Sequence, residues 1–322
     1  MKLVVTVPWS DEQLNRVGSA FPQVEFCVAR TDAEALEAVK DAEIVFGDVS
    51  REVFLAAAHL RWIQCHGAGV NKLVSTPELV ASEVCVTNTR GAHAVTIAEH
   101  FFGMLISLTR QFHPLHLAQQ RKEWVNWSQW SQRVGASPIS LQHLTLGILG
   151  FGNIGRAIAS RAHAFQMEIV TADKFDTPRP DYVSAFWPME DLSAFLGRSD
   201  VVVVTVPGTP ETHHLLGYDQ LSLLRPTAYL CVVSRGGIVD EAALATLLEE
   251  GRLAGAALDV AEAEPLPPTS RLWDAPNLII TPHCAGKSEA STCAATDILS
   301  ENIAHYLAGR PLVNVVDKML GF

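Results

Sequence analysis

The run Leu146-Gly147-Ile148-Leu149-Gly150-Phe151-Gly152-Asn153-Ile154-Gly155-Arg156 begins as a strand and ends as a helix. Apolar residues lead into Gly150, Gly152 and Gly155, spaced as G-x-G-x-x-G, and Ala157, Ile158, Ala159 and Ala162 then recur at helical intervals. Each glycine answers a separate requirement: a tight turn, room for a pyrophosphate against the backbone, and close packing of helix on strand. Phosphates then sit at a helix N-terminus, where free N–H groups and the macrodipole favour negative charge. The reading therefore puts Gly150, Gly152, Asn153, Ile154 and Gly155 around a dinucleotide. A second apolar run, Met167 to Ala172, ends in Asp173, eighteen residues past Gly155 and placed to accept hydrogen bonds from an adenosine ribose. Its charge opposes a 2′-phosphate, which selects NAD, while Lys174 beside it keeps NADP open.

Downstream of that turn, β-rich runs recur near 168–172, 182–186, 201–206, 229–234, 255–259 and 278–281, with helical patterns such as 240–250 between most of them. Strands alternating with helices make a parallel, doubly wound sheet, and Val201-Val202-Val203-Val204-Thr205-Val206 is apolar on both faces, as a central parallel strand must be. Ligands bind beyond the carboxyl ends of such strands. The segments at those ends are Pro207-Gly208-Thr209-Pro210, then Ser234-Arg235-Gly236-Gly237, then Asp259 and Glu262-Ala263-Glu264-Pro265, then Pro282-His283-Cys284-Ala285-Gly286. Ionisable residues thus collect on one edge. Arg235 suits a bidentate grip on a carboxylate. His283 suits general acid/base work near neutral pH, with Glu264 the candidate to orient it and favour its protonated form. Taken singly, each has a plainer reading as a surface arginine, a loop-capping histidine and a solvated glutamate.

Upstream, short β-rich runs at 3–7, 24–28, 43–46, 62–65 and 84–87 alternate with helical patterns such as 32–39, which predicts a second, smaller parallel-sheet domain. Its Gly67-Ala68-Gly69-Val70 loop is small enough to face backbone N–H groups towards a ligand, although a glycine turn explains it equally well. Residues 93–110 read as a helix apolar nearly all round, which predicts burial against a second domain or a second subunit. Glu99 and His100 interrupt it, and capping or domain bridging is the first reading of both, ahead of catalysis. Trp124, Trp127 and Trp130 recur at threes in a polar segment, as an arm lying on a partner subunit or on the same chain would. His113 with His116 and His213 with His214 lack a third donor at zinc-like spacing, so no metal is expected.

Composition narrows the class. The 322 residues suffice for about two domains, and with 48% hydrophobic and 18% charged residues the chain is globular. A net charge of −11 without a dense basic run argues against nucleic acid. No run approaches the roughly 18 apolar residues of a membrane span, and Met1 to Pro8 lacks a signal-peptide pattern. Six cysteines without C-x-x-C spacing fit a reduced, cytoplasmic protein.

Ser234-Arg235-Gly236-Gly237-Ile238-Val239-Asp240-Glu241, Gly255-Ala256-Ala257-Leu258-Asp259-Val260, Glu264-Pro265-Leu266 and Thr281-Pro282-His283-Cys284-Ala285-Gly286 closely resemble the NAD-dependent D-isomer-specific 2-hydroxyacid dehydrogenases. The resemblance extends to His66-Gly67-Ala68-Gly69-Val70-Asn71, to Val95-Thr96-Ile97-Ala98-Glu99-His100 and to Val206-Pro207 through Thr212-His213-His214, and so covers almost the whole chain. It implies an α/β fold of two doubly wound parallel-sheet domains, a Rossmann cofactor domain over 93–289 inserted in a flavodoxin-like substrate domain over 1–92 and 290–322, with the active site in a cleft between them. It implies catalysis by Arg235, Glu264 and His283, and substrate contacts from Ala68, Gly69 and Val70 together with Arg235 and His283. Around the cofactor it adds Val206, Pro207, Thr212, Val233, Ser234, Asp259, His283 and Gly286 to the glycine turn and Asp173. Family members are usually homodimers built on the cofactor domain. Asn71, Val233 and Ala261 depart from the common pattern without removing a catalytic group.

The implied reaction is hydride transfer between NAD(H) and C2 of a small 2-hydroxy or 2-keto acid, of the glyoxylate or hydroxypyruvate reductase kind. No further domain follows residue 322, which argues against a long, effector-controlled phosphoglycerate dehydrogenase. The rivals are an NAD(H)-sensing corepressor-like binding protein and a formate or phosphite dehydrogenase of the same fold. Formate enzymes of this fold pair their histidine with glutamine, so Glu264 counts against the latter.

Overall fold

All twelve strands of the described residues pair in parallel, in two separate sheets. The computed structural model describes residues 1–130 and 137–321, and the chain divides into two units, Met1–His93 with Lys287–Phe322, and Ala94–Gly286. These boundaries fall one and three residues from the 92/93 and 289/290 breaks read in the sequence.

The larger unit carries β6 (Thr145–Leu149), β7 (Glu168–Asp173), β8 (Val183–Pro188), β9 (Val201–Val204), β10 (Tyr229–Val232), β11 (Gly255–Leu258) and β12 (Leu278–Ile280) in the order β12-β11-β10-β9-β6-β7-β8. Counted from its own first strand this is the 3-2-1-4-5-6 order of a Rossmann sheet with one strand added, and the order reverses between β6 and β9. The crevice for a ligand therefore opens at the carboxyl end of β6, where the glycine turn lies. β9 is wholly buried, in keeping with its apolar run. The segment near 182–186 forms a full six-residue edge strand, longer than its mixed composition suggests.

The helix Ala94–Thr109 corrects one expectation. Its apolar face, from Ala98 through Phe101, Phe102, Met104, Leu105 and Leu108, packs with Ile148, Ile158, Ala162, Cys231 and Ala257 of the same unit. A single unit therefore covers most of it, because the sheet needs a helical layer on that face. Val95 stays half exposed, and Glu99 reaches Arg161 on the helix Asn153–Ala164 at 3.4 Å. The tryptophan segment is an extended stretch ending in a short 3₁₀ turn, Trp127–Gln129. Trp124 is 87% exposed, while the side chain of Trp127 and residues 131–136, part of the expected arm, lie outside the described residues.

The smaller unit holds β1 (Lys2–Val5), β2 (Glu25–Val28), β3 (Ile44–Phe46), β4 (Trp62–Gln64) and β5 (Cys85–Thr87), ordered β2-β1-β3-β4-β5, the flavodoxin-like arrangement. The chain returns to it in the helix Glu289–Leu307, whose Leu299 and Ile303 join Leu3, Val5, Ile44, Phe46 and Trp62 in one core. Buried Asn302 is satisfied there by the Gln64 side chain at 2.9 Å and by both backbone groups of Val313, at 3.1 and 2.7 Å.

Candidate active site

Three glycines after β6 are required for three different reasons. Gly150 has φ +97°, and a Cβ there would lie 2.8 Å from the Val206 amide nitrogen. One at Gly155 would lie 2.3 Å from the Gly150 carbonyl oxygen. Gly152 differs, since a Cβ there would meet no protein atom within 4 Å. The fold demands the outer two, whereas the middle one leaves open space over the start of the helix Asn153–Ala164, whose N-cap offers no side-chain hydrogen bond to the first amides. Bare N–H groups beside such space fit a pyrophosphate. At the end of β7, Asp173 accepts from the Phe151 amide at 2.6 Å and the Phe175 amide at 3.2 Å, which fixes its carboxylate beside the turn. Lys174 is engaged by Glu211 at 2.8 Å. Ser234, just past β10, has a buried hydroxyl with no hydrogen-bond partner among the described residues. Orphaned buried hydroxyls are uncommon in native folds, so this one also fits a polar ligand. The residues present therefore suit a nicotinamide dinucleotide.

Other residues expected around the cofactor line the same strand ends. Val206 and Val233 are buried. Thr212 ties its own loop, its hydroxyl donating to the Pro207 carbonyl at 2.8 Å and accepting from the Thr209 amide at 2.8 Å. The same loop abuts Arg235, for a Cβ at Gly208 would lie 3.0 Å from that of Arg235.

The loops after β10, β11 and β12 bring together the ionisable residues. His283 Nδ1 is 2.7 Å from Glu264 Oε2, and Glu264 Oε1 accepts from the Ala261 amide at 3.1 Å. A carboxylate against Nδ1 puts the proton there and turns Nε2 away from Glu264. The His283 backbone is left-handed, φ +50°, and its amide donates to the Asp259 carbonyl at 2.7 Å. Arg235 is partly buried, and its guanidinium donates to the Ser234 carbonyl at 2.6 Å but makes no ion pair among the described residues. Burial pushes this guanidinium below its ordinary value, against the pull of the Glu264 charge. A partly buried cation without a counter-charge in contact is a group that an anionic ligand would compensate. Gly236 lets the two loops close on each other, since a Cβ there would lie 1.9 Å from the Ala261 carbonyl oxygen.

Asp259 is 1% exposed and its carboxylate is saturated by the chain itself. Oδ1 accepts from Thr281 Oγ1 at 2.6 Å and the Cys284 amide at 2.9 Å, and Oδ2 from the Ala285 amide at 2.9 Å. These bonds hold the loop that presents His283. Behind them, His100 Nε2 lies 2.9 Å from Thr281 Oγ1. This partner of His100 is not foreseen in the sequence. A histidine set in an otherwise apolar helix was the available signal, but its partner stands 181 residues away.

In the smaller unit, the amides of Ala68, Gly69 and Val70 find no acceptor among the described residues, while Asn88 and Thr89 side chains hold the loop through the Ala68 and His66 carbonyls at 2.8 and 2.9 Å. A row of N–H groups without acceptors suits an anion.

Comparison with known proteins agrees with this geometry. Residues 102–285 match the model of the NAD binding domain of the D-isomer specific 2-hydroxyacid dehydrogenases. The chain is 33% identical over 292 residues to a glycerate dehydrogenase of Methylorubrum extorquens, covering 89% of each chain. It is 30% identical over 321 residues to a D-3-phosphoglycerate dehydrogenase of Methanocaldococcus jannaschii, a match that covers 98% of this chain and 59% of that one. The chain thus spans about three-fifths of that relative's length. A D-isomer specific 2-hydroxyacid dehydrogenase from Xanthobacter autotrophicus, solved with NADPH, superposes with a TM-score of 0.84 at 29% identity over 100% of this chain and 99% of that one. Fold, turn and family match converge: the chain belongs to the D-isomer-specific 2-hydroxyacid dehydrogenase family.

Proposed function

We propose that the protein transfers hydride reversibly between a nicotinamide dinucleotide and C2 of a small D-2-hydroxy acid and its 2-keto acid, with glyoxylate and hydroxypyruvate as the first substrates to try. The observation that carries this reading is the 2.7 Å contact of Glu264 with Nδ1 of His283. In the reducing direction Arg235 holds the substrate carboxylate, and imidazolium His283 donates its Nε2 proton to the carbonyl oxygen. Glu264 keeps the ring in the orientation that presents Nε2. Amides of Ala68, Gly69 and Val70 serve as further carboxylate donors. The bound dinucleotide supplies the hydride.

NAD is the preferred cofactor in this reading, because a fixed carboxylate at Asp173 opposes a 2′-phosphate. The NADPH complex of the Xanthobacter relative is the reason to test both forms. The small substrate follows the glycerate dehydrogenase relative. We further place the protein in the cytoplasm as a homodimer. None of the six cysteines forms a disulfide, which suits a reducing compartment, and no helix among the described residues is long and apolar enough to cross a membrane. Phe112, Leu117, Trp124 and Phe165 are exposed apolar residues of the larger unit that a second copy would cover.

A panel of glyoxylate, hydroxypyruvate, pyruvate, phenylpyruvate and 2-ketoisocaproate with NADH and with NADPH tests the reading. The expected outcome is fastest turnover of the two smallest hydrophilic acids with NADH. Tight NADH binding without turnover of any keto acid would replace the enzyme with a nucleotide-sensing binding protein. Native mass spectrometry checks the dimer.

A further inference from the structure

The sequence sets His213 beside His214 without a third donor at metal-ligand spacing, and the fold supplies one from forty-eight residues away. We propose that His213, His214 and Glu262 bind a divalent transition-metal cation, Zn²⁺ foremost, beside the loop that carries Glu264. His213 Nε2 lies 3.2 Å from Glu262 Oε1, His214 Nε2 lies 3.1 Å from Oε2, and the candidate donor atoms fall within 4.8 Å of one another. Zinc bonds of about 2.0–2.2 Å to nitrogen and oxygen separate neighbouring ligands by roughly 3.0–3.5 Å, the spacing that each histidine nitrogen already keeps from the carboxylate.

The two imidazoles are stacked, with ring centroids 4.0 Å apart and planes 20° from parallel, so they must swing out of the stack for both lone pairs to meet one ion. Both turn the same nitrogen to one carboxylate, and an ion there replaces the two shared protons. The backbone behind the ligands is anchored: the Glu262 amide donates to Glu241 Oε1 at 2.6 Å, and the His214 amide to the Gly237 carbonyl at 2.7 Å. Side chains 56%, 39% and 44% exposed leave water to complete the coordination and a path for the ion to enter. Two nitrogens and one carboxylate match zinc and its neighbours in the divalent series, whereas Mg²⁺ and Ca²⁺ take oxygen shells.

The location gives the site a consequence. Glu262 stands two residues before Glu264, in a loop packed without slack against Gly236. An ion bridging the histidine loop to this one stiffens the segment that orients His283. The site depends on these three side chains alone and holds whatever the substrate proves to be.

Chelator-stripped protein titrated with Zn²⁺ against a chromophoric zinc indicator, and melted with and without Zn²⁺, tests the proposal. Wild type is expected to take up one Zn²⁺ per chain and to melt higher with it, and Mg²⁺ to have no effect. His213→Ala and Glu262→Gln should each weaken binding at least tenfold and remove the melting shift, while Cys293→Ser, at an exposed thiol, leaves both unchanged. Zinc affinity unaltered in His213→Ala and Glu262→Gln, or no uptake by wild type below about 1 mM, overturns the proposal.

Discussion

Two carboxylates two residues apart in one loop, Glu262 and Glu264, engage imidazoles from other loops in opposite ways. Glu264 meets Nδ1 of His283, so the outer nitrogen points away from its carboxylate. Glu262 meets Nε2 of both His213 and His214, so their outer nitrogens point inwards to a shared acceptor. The first arrangement leaves a nitrogen for proton exchange with a ligand. The second turns the Nε2 atoms of two rings onto one carboxylate, the focus of the proposed cation site. Residue type is therefore a poor guide to chemistry on this edge of the sheet, and the ring atom presented to the carboxylate is a good one.

The sharpest way to break the contrast is His283→Ala. General acid/base catalysis contributes on the order of 10²–10⁴-fold, so keto-acid reduction should fall by that much while NADH affinity, read by fluorescence titration, is kept. Turnover near wild type would move proton transfer to another group. Next in size is Arg235→Lys, which keeps the charge but loses the planar fork. Hydrogen bonds to charged groups are worth about 1.5–3 kcal/mol, and kcat/KM for keto acids should drop about tenfold to a hundredfold, with KM carrying most of it. A smaller change is expected of Glu264→Gln, which preserves an acceptor for Nδ1–H and removes the charge. Its kcat should lie between those of wild type and Glu264→Ala, and equal rates for the two variants would show that the contact does no orienting. Comparable in size is Asp173→Asn, expected to shift the NADPH-to-NADH ratio of kcat/KM towards NADPH by about tenfold, since like charges a few ångströms apart near a surface repel by a few kcal/mol before screening. An unchanged ratio would remove Asp173 from cofactor selection.

The sequence is legible where backbone geometry restricts residue choice. Gly150 and Gly155 have no tolerated replacement, so their spacing announces the turn, and the valines of β9 announce a strand buried on both faces. Glu264 and His283 were within reach because both follow strands of one sheet, and strand ends share an edge. Contacts set by tertiary packing were not. The helix Ala94–Thr109 looks too apolar for one domain, yet the face of its own sheet covers most of it. Glu262 reads as one solvated carboxylate among several until the loop after β11 folds back on His213 and His214. His100 looks like an interruption of its helix until Thr281 arrives from the far end of the unit.

That last contact yields the smallest and most discriminating expectation. Asp259 Oδ1 accepts from the Thr281 hydroxyl and the Cys284 amide, and the first of these also connects to His100. Thr281→Val keeps the shape and deletes the hydroxyl, leaving a buried carboxylate oxygen one donor short. Such a loss costs about 1–3 kcal/mol, readable as a lower urea midpoint, while kcat should change only a few-fold because the Cys284 and Ala285 amides still hold the loop. Thr281→Ser restores the hydroxyl and loses only a methyl group, so its midpoint should lie closer to wild type than that of Thr281→Val. If valine unfolds at the wild-type midpoint while serine falls below it, the methyl group rather than the hydroxyl matters there, and Asp259 holds the His283 loop through the two amides without help from His100.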